Sequence, residues 1–506
     1  MGTFINPTLQ FLILLSTPIL GFVINFLFCK QHRQIGAGIA SFGIWIGFIQ
    51  IAIGWVLKGP IDQNKPLMGF FANDLTWVVA TLILFVSSIV HHFSQRYMSG
   101  DRNYRRYFLL LNLITITILL MAAADNIIIF TLCWLITNLL LVMLIIHKLE
   151  WTPAKNSGLL AMKTFIIGFI CLSAGTGLLA YGAESLSIAF IVKHQNTLPG
   201  ILRPAALCLI IIAACSQSGS WPFHRWLISS VNAPTPVSAF MHAGLINGGG
   251  LLLIRFSFLF SNEPVLLQIL VVLSTITLTL GGIWKLMQTD IKRMLACSTM
   301  TQMGFMMMQC GLGLFPAALT HLCWHGLFKA FLFLKSGSTI AEGVNTKQSP
   351  ISHPLKFFLS SLCGLLGALG FILAIDFDFP IVDTRMILIF FAWITSTQLA
   401  HTAIEKQNWL SRFFASSILC LFSGIVYGLT INLIETKLTS IHIFHPQQLT
   451  PVHMILILFI FCIWIEFNFN LLNKWKKHAL WNQLYVKNLN ASQPAPNTKS
   501  SIRDRT

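Results

Sequence analysis

Roughly fifteen stretches of about twenty apolar residues follow one another along this chain, and no other feature restricts its fold as much. A helix rising 1.5 Å per residue needs about 20 residues to cross a hydrocarbon core about 30 Å thick. Helices also satisfy their own backbone hydrogen bonds, which lipid cannot do. The stretches begin near residues 8, 35, 74, 106, 126, 160, 203, 237, 264, 291, 314, 354, 385, 411 and 452. Residues 186–193 (SIAFIVKH) are apolar but too short to cross, and read as part of an external loop. With 55% hydrophobic and 10% charged residues and a mean hydropathy of +0.74, a water-soluble globule is excluded. The expected fold is an all-α polytopic membrane protein of about 14–15 transmembrane helices, with a single transmembrane domain over residues 1–487. The polar, Pro- and Ser-rich segment 488–506 is expected to be a disordered cytoplasmic tail.

The net charge of +17 is a topology signal rather than a nucleic-acid footprint. With the N-terminus outside, alternate loops hold 24 of the 33 Lys and Arg residues, among them Lys30, Arg33, Arg96, Arg102, Arg105, Arg106, Lys285, Lys292, Arg293 and the run from Lys474 to Arg505. The opposite loops hold seven, including Lys58, Lys65, Lys193 and Lys437. By the positive-inside rule this places a multi-pass protein in a bacterial inner membrane, N-terminus periplasmic and C-terminus cytoplasmic. The first apolar stretch, Leu9 to Phe28, has no preceding Lys or Arg and is longer than a signal-peptide core, so it reads as a retained helix. The eleven Cys residues form no CxxC pair, so neither a disulfide framework nor a zinc knuckle is indicated.

Ionisable groups at membrane depth cost several kcal/mol unless they pair or meet water, so they mark candidate function. His321, His325 and Lys329 recur every four residues in ALTHLCWHGLFKAFLF, on one helical face and about 12 Å apart end to end. Imidazole both accepts and donates protons near neutrality, which suits a water-bridged relay. The same pair of histidines also fits a metal site, although no Asp, Glu or Cys ligand accompanies it, or plain interhelical hydrogen bonds. Lys163 in GLLAMKTFIIGF either lines a path or snorkels to the interface. Glu466, His91 and His92 lie near span ends and read as interfacial.

From Ser216 to Arg255 the chain is punctuated by Gly219, Pro222, Pro234, Pro236 and the triplet Gly248, Gly249, Gly250. Irregular backbone at membrane depth survives only where protein buries it or water reaches it, and transporters use such breaks to coordinate ions. Close packing of glycine against a neighbouring helix is the alternative. His242 follows the Pro-Thr-Pro turn by six residues and is a candidate path residue.

These residues carry a family pattern. APTPVSAFMHAG resembles a signature of the antiporter-like subunits of respiratory complex I and of multisubunit cation/proton antiporters. QTDIKRMLACSTMTQMGF, THLCWHGLFKAFLFLKSGS, AADNIIIFTLCW and AMKTF are similar to other segments of that family, and together they cover about residues 106–340. The resemblance implies the antiporter-like fold with discontinuous helices and a cation path through Lys163, His242, His321, His325 and Lys329. Two positions depart from it: the family's membrane Glu is here Leu135, and its Lys before the broken helix is here Gln217. A later Pro/Gly break with a membrane Lys has no clear counterpart in residues 354–402.

WPFHRWLISSVNAPTPVSAFMHAGLINGGG looks closest to one branch, the membrane subunits of bacterial inorganic-carbon accumulation complexes. That likeness implies a large zinc-containing partner subunit on the cytoplasmic side, resembling β-carbonic anhydrase, whose CO2 hydration is driven by cation flow through the membrane subunit. No enzymatic chemistry, cofactor or metal is then expected in this chain itself. His and Lys suit H⁺ better than Na⁺, which prefers oxygen ligands. A subunit of a Na⁺/H⁺ antiporter or of a complex I-like proton pump, and a non-conducting membrane anchor for a peripheral enzyme, are the rival readings.

Overall fold

The computed structural model describes residues 6–28, 33–57, 65–194, 199–337, 353–375, 382–404, 409–438, 443–469, 471 and 478–499. Among them each of the fifteen apolar stretches is helical, and the only extended pairings are isolated bridges. The first span joins α1 (Pro7–Leu14) to α2 (Ser16–Phe28). Then follow α3 (Arg33–Leu57), α4 (Asp74–Tyr97), α5 (Tyr104–Ala123), α6 (Ile127–Ile145) and α7 (Thr152–Ala183). The short apolar segment becomes α8 (Ile188–Lys193), docked by Ser187 Oγ and the Ala189 amide on the buried Asp125 carboxylate. The interrupted region contains α9 (Leu202–Gln217), α10 (Arg225–Ser229), α11 (Thr235–Phe240) and α12 (Gly248–Arg255), closed by the single turn α13 (Ser257–Phe260). The rest comprises α14 (Pro264–Leu286), α15 (Ile291–Gly311), α16 (Phe315–Lys335), α17 (His353–Ala374), α18 (Arg385–Ala403), α19 (Trp409–Lys437), α20 (Pro451–Phe469) and the terminal α21 (Ala479–Ala491). Among the described residues thirteen helices are long and apolar enough to cross a membrane. The apolar α9 is shorter, at 16 residues, and the methionine-rich α15 is not among the thirteen, against about 14–15 expected.

Local chemistry sets where these helices begin. Asn73, Asn126 and Asp290 accept backbone N–H groups that α4, α6 and α15 leave unpaired at their starts. Proline opens α7, α11, α14 and α16, where a missing N–H costs nothing. Without a hydrophobic drive between helices in lipid, close contact depends on small residues. Gly304 brings α15 onto α14, since a Cβ there would lie 2.6 Å from the Leu278 nitrogen, and Gly424 brings α19 onto α17. The apolar core splits accordingly into a large cluster over α1–α16 and a smaller one joining α14–α16 to α17–α19.

Three expectations are corrected, the third of them at the glycine triplet of the broken span. Residues 488–499 are not a disordered tail: α21 continues into a turn at Pro496–Thr498 that packs on the broken-helix region. The Asn156 amide donates to the Asn497 carbonyl at 2.7 Å, the Asn232 amide to the Thr498 carbonyl at 2.9 Å, and the Ala495 N–H to Ser229 Oγ at 3.1 Å. A polar composition therefore folds here because its backbone groups meet polar side chains exposed by the break between α9 and α11. Residues 500–506 lie outside the described residues, as do Lys30, Lys58, Lys474 and Arg505 of the topology signal. His91 is not interfacial but fully buried, held by the Ser87 carbonyl, while its neighbour His92 is exposed. Helical geometry turns adjacent residues about 100° apart, so one faces protein and the other faces outward.

Candidate functional site

The chain breaks after Gln217. Gly219 adopts φ +60°, a conformation open to residues without a Cβ, and Pro222 lies inside the turn that precedes α10. Pro234 caps α11 and Pro236 lies in its first turn, as their spacing suggests. The following span is interrupted at Met241–Leu245, where one π-type turn replaces the α pattern, rather than at the glycine triplet. Gly248, Gly249 and Gly250 open α12 instead. A Cβ on Gly249 would collide with the Ala214 carbonyl and Ser218 Oγ, and one on Gly250 with Met306, so those two glycines serve close packing.

The π-turn presents His242 to α16, stacked on Phe333 with ring centroids 4.3 Å apart and planes 16° apart. Gly326 makes this approach possible, because a Cβ there would lie 2.6 Å from the Ala243 carbonyl oxygen. On α16, His321 and His325 stack with centroids 5.8 Å apart and planes 12° apart. One turn further, Lys329 is 1% exposed and its Nζ donates to the Leu295 carbonyl at 3.3 Å. His325 lies within electrostatic reach of His321, Lys329 and His242. Four of the five candidate path residues thus come together, on α16 and the π-turn before α12. The fifth does not: Lys163 is exposed on α7, with its aliphatic stem free to carry the charge outward.

Both ring nitrogens of His325, Nδ1 of His242 and Nε2 of His321 are buried without a hydrogen-bond partner. Such groups usually mean internal water, since leaving a buried polar atom unpaired costs about 1–3 kcal/mol. A cavity adjoins the row at the His321 end, and a lysine lies near its Lys329 end. His321 lines a cavity of about 750 Å³ between α14–α16 and α18–α20, walled by Phe305, Phe391 and Tyr427. At the other end, Leu295 lies three residues from Lys292, whose Nζ reaches the Ala233 carbonyl at 3.5 Å. Sequence spacing did not single out Lys292 as a neighbour of the row; its signal was only a place in a basic loop. Among the described residues no group of three or more His, Cys, Asp or Glu side chains is placed to hold a metal ion.

Gln217 occupies a different chamber, of about 30 Å³, between α4, α5, α6, α9 and the start of α12. Its amide nitrogen donates to the Leu245 carbonyl at 3.1 Å and that of Asn247 to the Ala243 carbonyl at 2.8 Å, so both amide oxygens are left free. Asn138 Oδ1 and Thr137 Oγ1 line the same space without partners. The volume accommodates about two water molecules, each with polar neighbours to bind it. In the sequence Gln217 stands out only as a departure from the family pattern; the other three come from distant segments and carry no motif.

With this geometry in place, the likeness to known proteins is specific. Residues 124–372 match a family model described as the transmembrane region of NADH:quinone oxidoreductase and Mrp antiporters, and residues 60–108 one for the N-terminus of complex I chain 5. The probable inorganic carbon transporter subunit DabB of Bacillus anthracis is 38% identical over 310 residues, 61% of this chain and 59% of that protein. DabB1 of Halothiobacillus neapolitanus is 35% identical over 390 residues, 71% of this chain and 68% of the relative. DabB2 of the same organism is 31% identical over 470 residues, 88% and 79% respectively. The chain thus spans only about three fifths of the Bacillus anthracis relative. In fold it is similar to the Mrp complex from Dietzia sp., with TM-score 0.66 at 18% identity, over 98% of this chain and 61% of that one.

Proposed function

The chain belongs to the antiporter-like membrane subunits of complex I and Mrp antiporters, in the branch of the DabB inorganic-carbon transporter subunits, and from that membership we propose that it is the proton-conducting subunit of an inorganic-carbon pump. It is a multi-pass membrane protein of a transport family. On this reading a zinc-containing, carbonic-anhydrase-like partner on the cytoplasmic side performs CO2 hydration, and charge passing along His321, His325, His242 and Lys329 supplies the energy. The inner membrane is the location, with the N-terminus periplasmic and the C-terminus cytoplasmic, as the Lys and Arg distribution favours.

The observation that carries the reading is the buried basic set at the contact of the π-turn with α16. Burying an ammonium group and two imidazoles, with the half-buried His321 beside them and no carboxylate among the path residues, is costly, and a proton path accounts for that cost where packing alone does not. A neutral imidazole beside unpaired polar atoms accepts a proton from water on one side and passes one to the other. Lys163, exposed on α7, is not part of the conducting set proposed here.

The test is co-expression with the zinc-containing partner in cells that lack carbonic anhydrase. Growth in ordinary air should be restored, and Lys329→Ala should abolish it while the protein stays in the membrane. A non-conducting anchor, which the uncharged Leu135 and Gln217 favour, would tolerate that substitution. A Na⁺/H⁺ antiporter subunit would change Na⁺ tolerance and leave CO2 dependence as it was.

A further inference from the structure

A polar line runs through the α4–α5 interface, and the path described above does not use it. At the end of α6, His147 Nε2 meets Asp101 Oδ1 at 3.0 Å, and its ring stands edge-on to Tyr107 with centroids 5.7 Å apart. The Tyr107 hydroxyl shares a 2.7 Å hydrogen bond with Ser94 Oγ. One turn along α4, His91 Nδ1 lies 2.8 Å from the Ser87 carbonyl and 3.1 Å from Ser87 Oγ, which is 2.8 Å from Thr115 Oγ1. Every residue from Tyr107 to Thr115 on this line is 0% exposed. One turn further still, Ile83 and Ile118 line the chamber of Gln217 and Asn247.

Only an N–H can point from Nδ1 to a carbonyl, so His91 carries its proton there and leaves Nε2 as the ring's acceptor, beside Asn112. That Nε2 is buried, and the Asn112 amide is its polar neighbour. Serine and threonine hydroxyls in membrane helices commonly bond back to their own carbonyls, as Ser94 and Thr115 also do. Here they additionally meet across the interface, Ser94 with Tyr107 and Thr115 with Ser87, so each hydroxyl accepts from its neighbour while donating to a carbonyl, and passes a proton on only when it rotates away from that carbonyl. Three gaps interrupt the line: His147 meets Tyr107 by ring contact only, and about one helical turn, or 5.4 Å, separates Ser94 from His91 and Thr115 from the chamber; a proton needs one bridging water at each.

We propose that this line is a second proton entry, from Asp101 and His147 through Tyr107, Ser94, His91 and Ser87 into the hydrated chamber of Gln217 and Asn247. Protons leave the chamber toward the π-turn that bears His242. Each step moves one proton forward and receives one from behind, so no group changes its net charge after a passage. The inference rests on the proton-conducting reading above.

The test is proton uptake by inverted membrane vesicles holding the chain with its partner, with membrane abundance measured alongside. His91→Gln keeps a hydrogen-bonding side chain but no relay, and should lower uptake at least tenfold. Thr115→Val should lower it several-fold, and it decides the matter alone if the His91 variant is lost from the membrane. A purely structural histidine would accept glutamine without loss of uptake, and that result overturns the second entry. Lys329→Ala separates the two claims: if it abolishes uptake while His91→Gln and Thr115→Val do not change it, the second entry fails and the first reading stands. If none of the three changes uptake, both fail.

Discussion

The chamber around Gln217 and the row on α16 are made in the same way, by polar side chains set against an interrupted helix, yet one is neutral and the other basic. The chamber offers amide and hydroxyl oxygens to about two waters. The row offers imidazoles and an ammonium whose partner is a backbone carbonyl. In a low dielectric a fixed charge needs a counter-charge, and an unpaired buried one costs several kcal/mol. The family pattern supplies Glu and Lys together at the first position; this chain has lost both, as Leu135 and Gln217, which leaves a site that is stable without either. The difference separates two tasks that water and bases do differently, since neutral oxygens only pass a proton while imidazole and amine also hold one.

The comparison breaks most visibly at Lys329. Lys329→Ala should abolish growth in ordinary air and reduce proton uptake by roughly 10²-fold, as losing a proton-transfer group typically does. A variant that conducts normally would make the row a packing feature. Next in size, Gln217→Lys should destabilise the protein by about 3 kcal/mol or more, read as loss of membrane abundance and a lower Tm, because no carboxylate waits in the chamber. Adding Leu135→Glu should recover most of that loss; a double variant no better than the single one would mean that positions 135 and 217 are not coupled. Gly326→Ala should cost about 1–3 kcal/mol by pressing a methyl on the Ala243 carbonyl, lowering uptake more than abundance as the π-turn parts from α16. Lys163→Gln should change uptake less than about twofold, as an exposed, snorkelling lysine would. A larger effect would return Lys163 to the path.

The row was legible beforehand because its residues lie four apart on one helix, and period 3.6 alone brings His321, His325 and Lys329 to one face. His242 was legible from its place behind the Pro-Thr-Pro turn. Lys163 shows the limit of that approach, since hydropathy places a residue in a span but not on a side of it. The chamber was invisible for another reason: Asn138, Gln217 and Asn247 sit on three helices far apart in sequence, and each alone looks like an ordinary amide. The α4–α5 line was hidden by adjacency, because His91 and His92 appear as one interfacial pair until packing turns one of them inward.

By itself, then, the sequence determined that the chain is a many-helix membrane protein, roughly where its apolar helices lie, and which of them is broken, since transfer of apolar side chains and the backbone limits of Gly and Pro act locally. Only the tertiary structure decided which polar atoms are left without partners, where a π-turn rather than a glycine interrupts the span, and that residues 488–499 are bound to the broken-helix region. Those outcomes depend on which helices meet and how closely, and helix contacts in lipid are set by shape and hydrogen bonding between distant segments rather than by any local pattern.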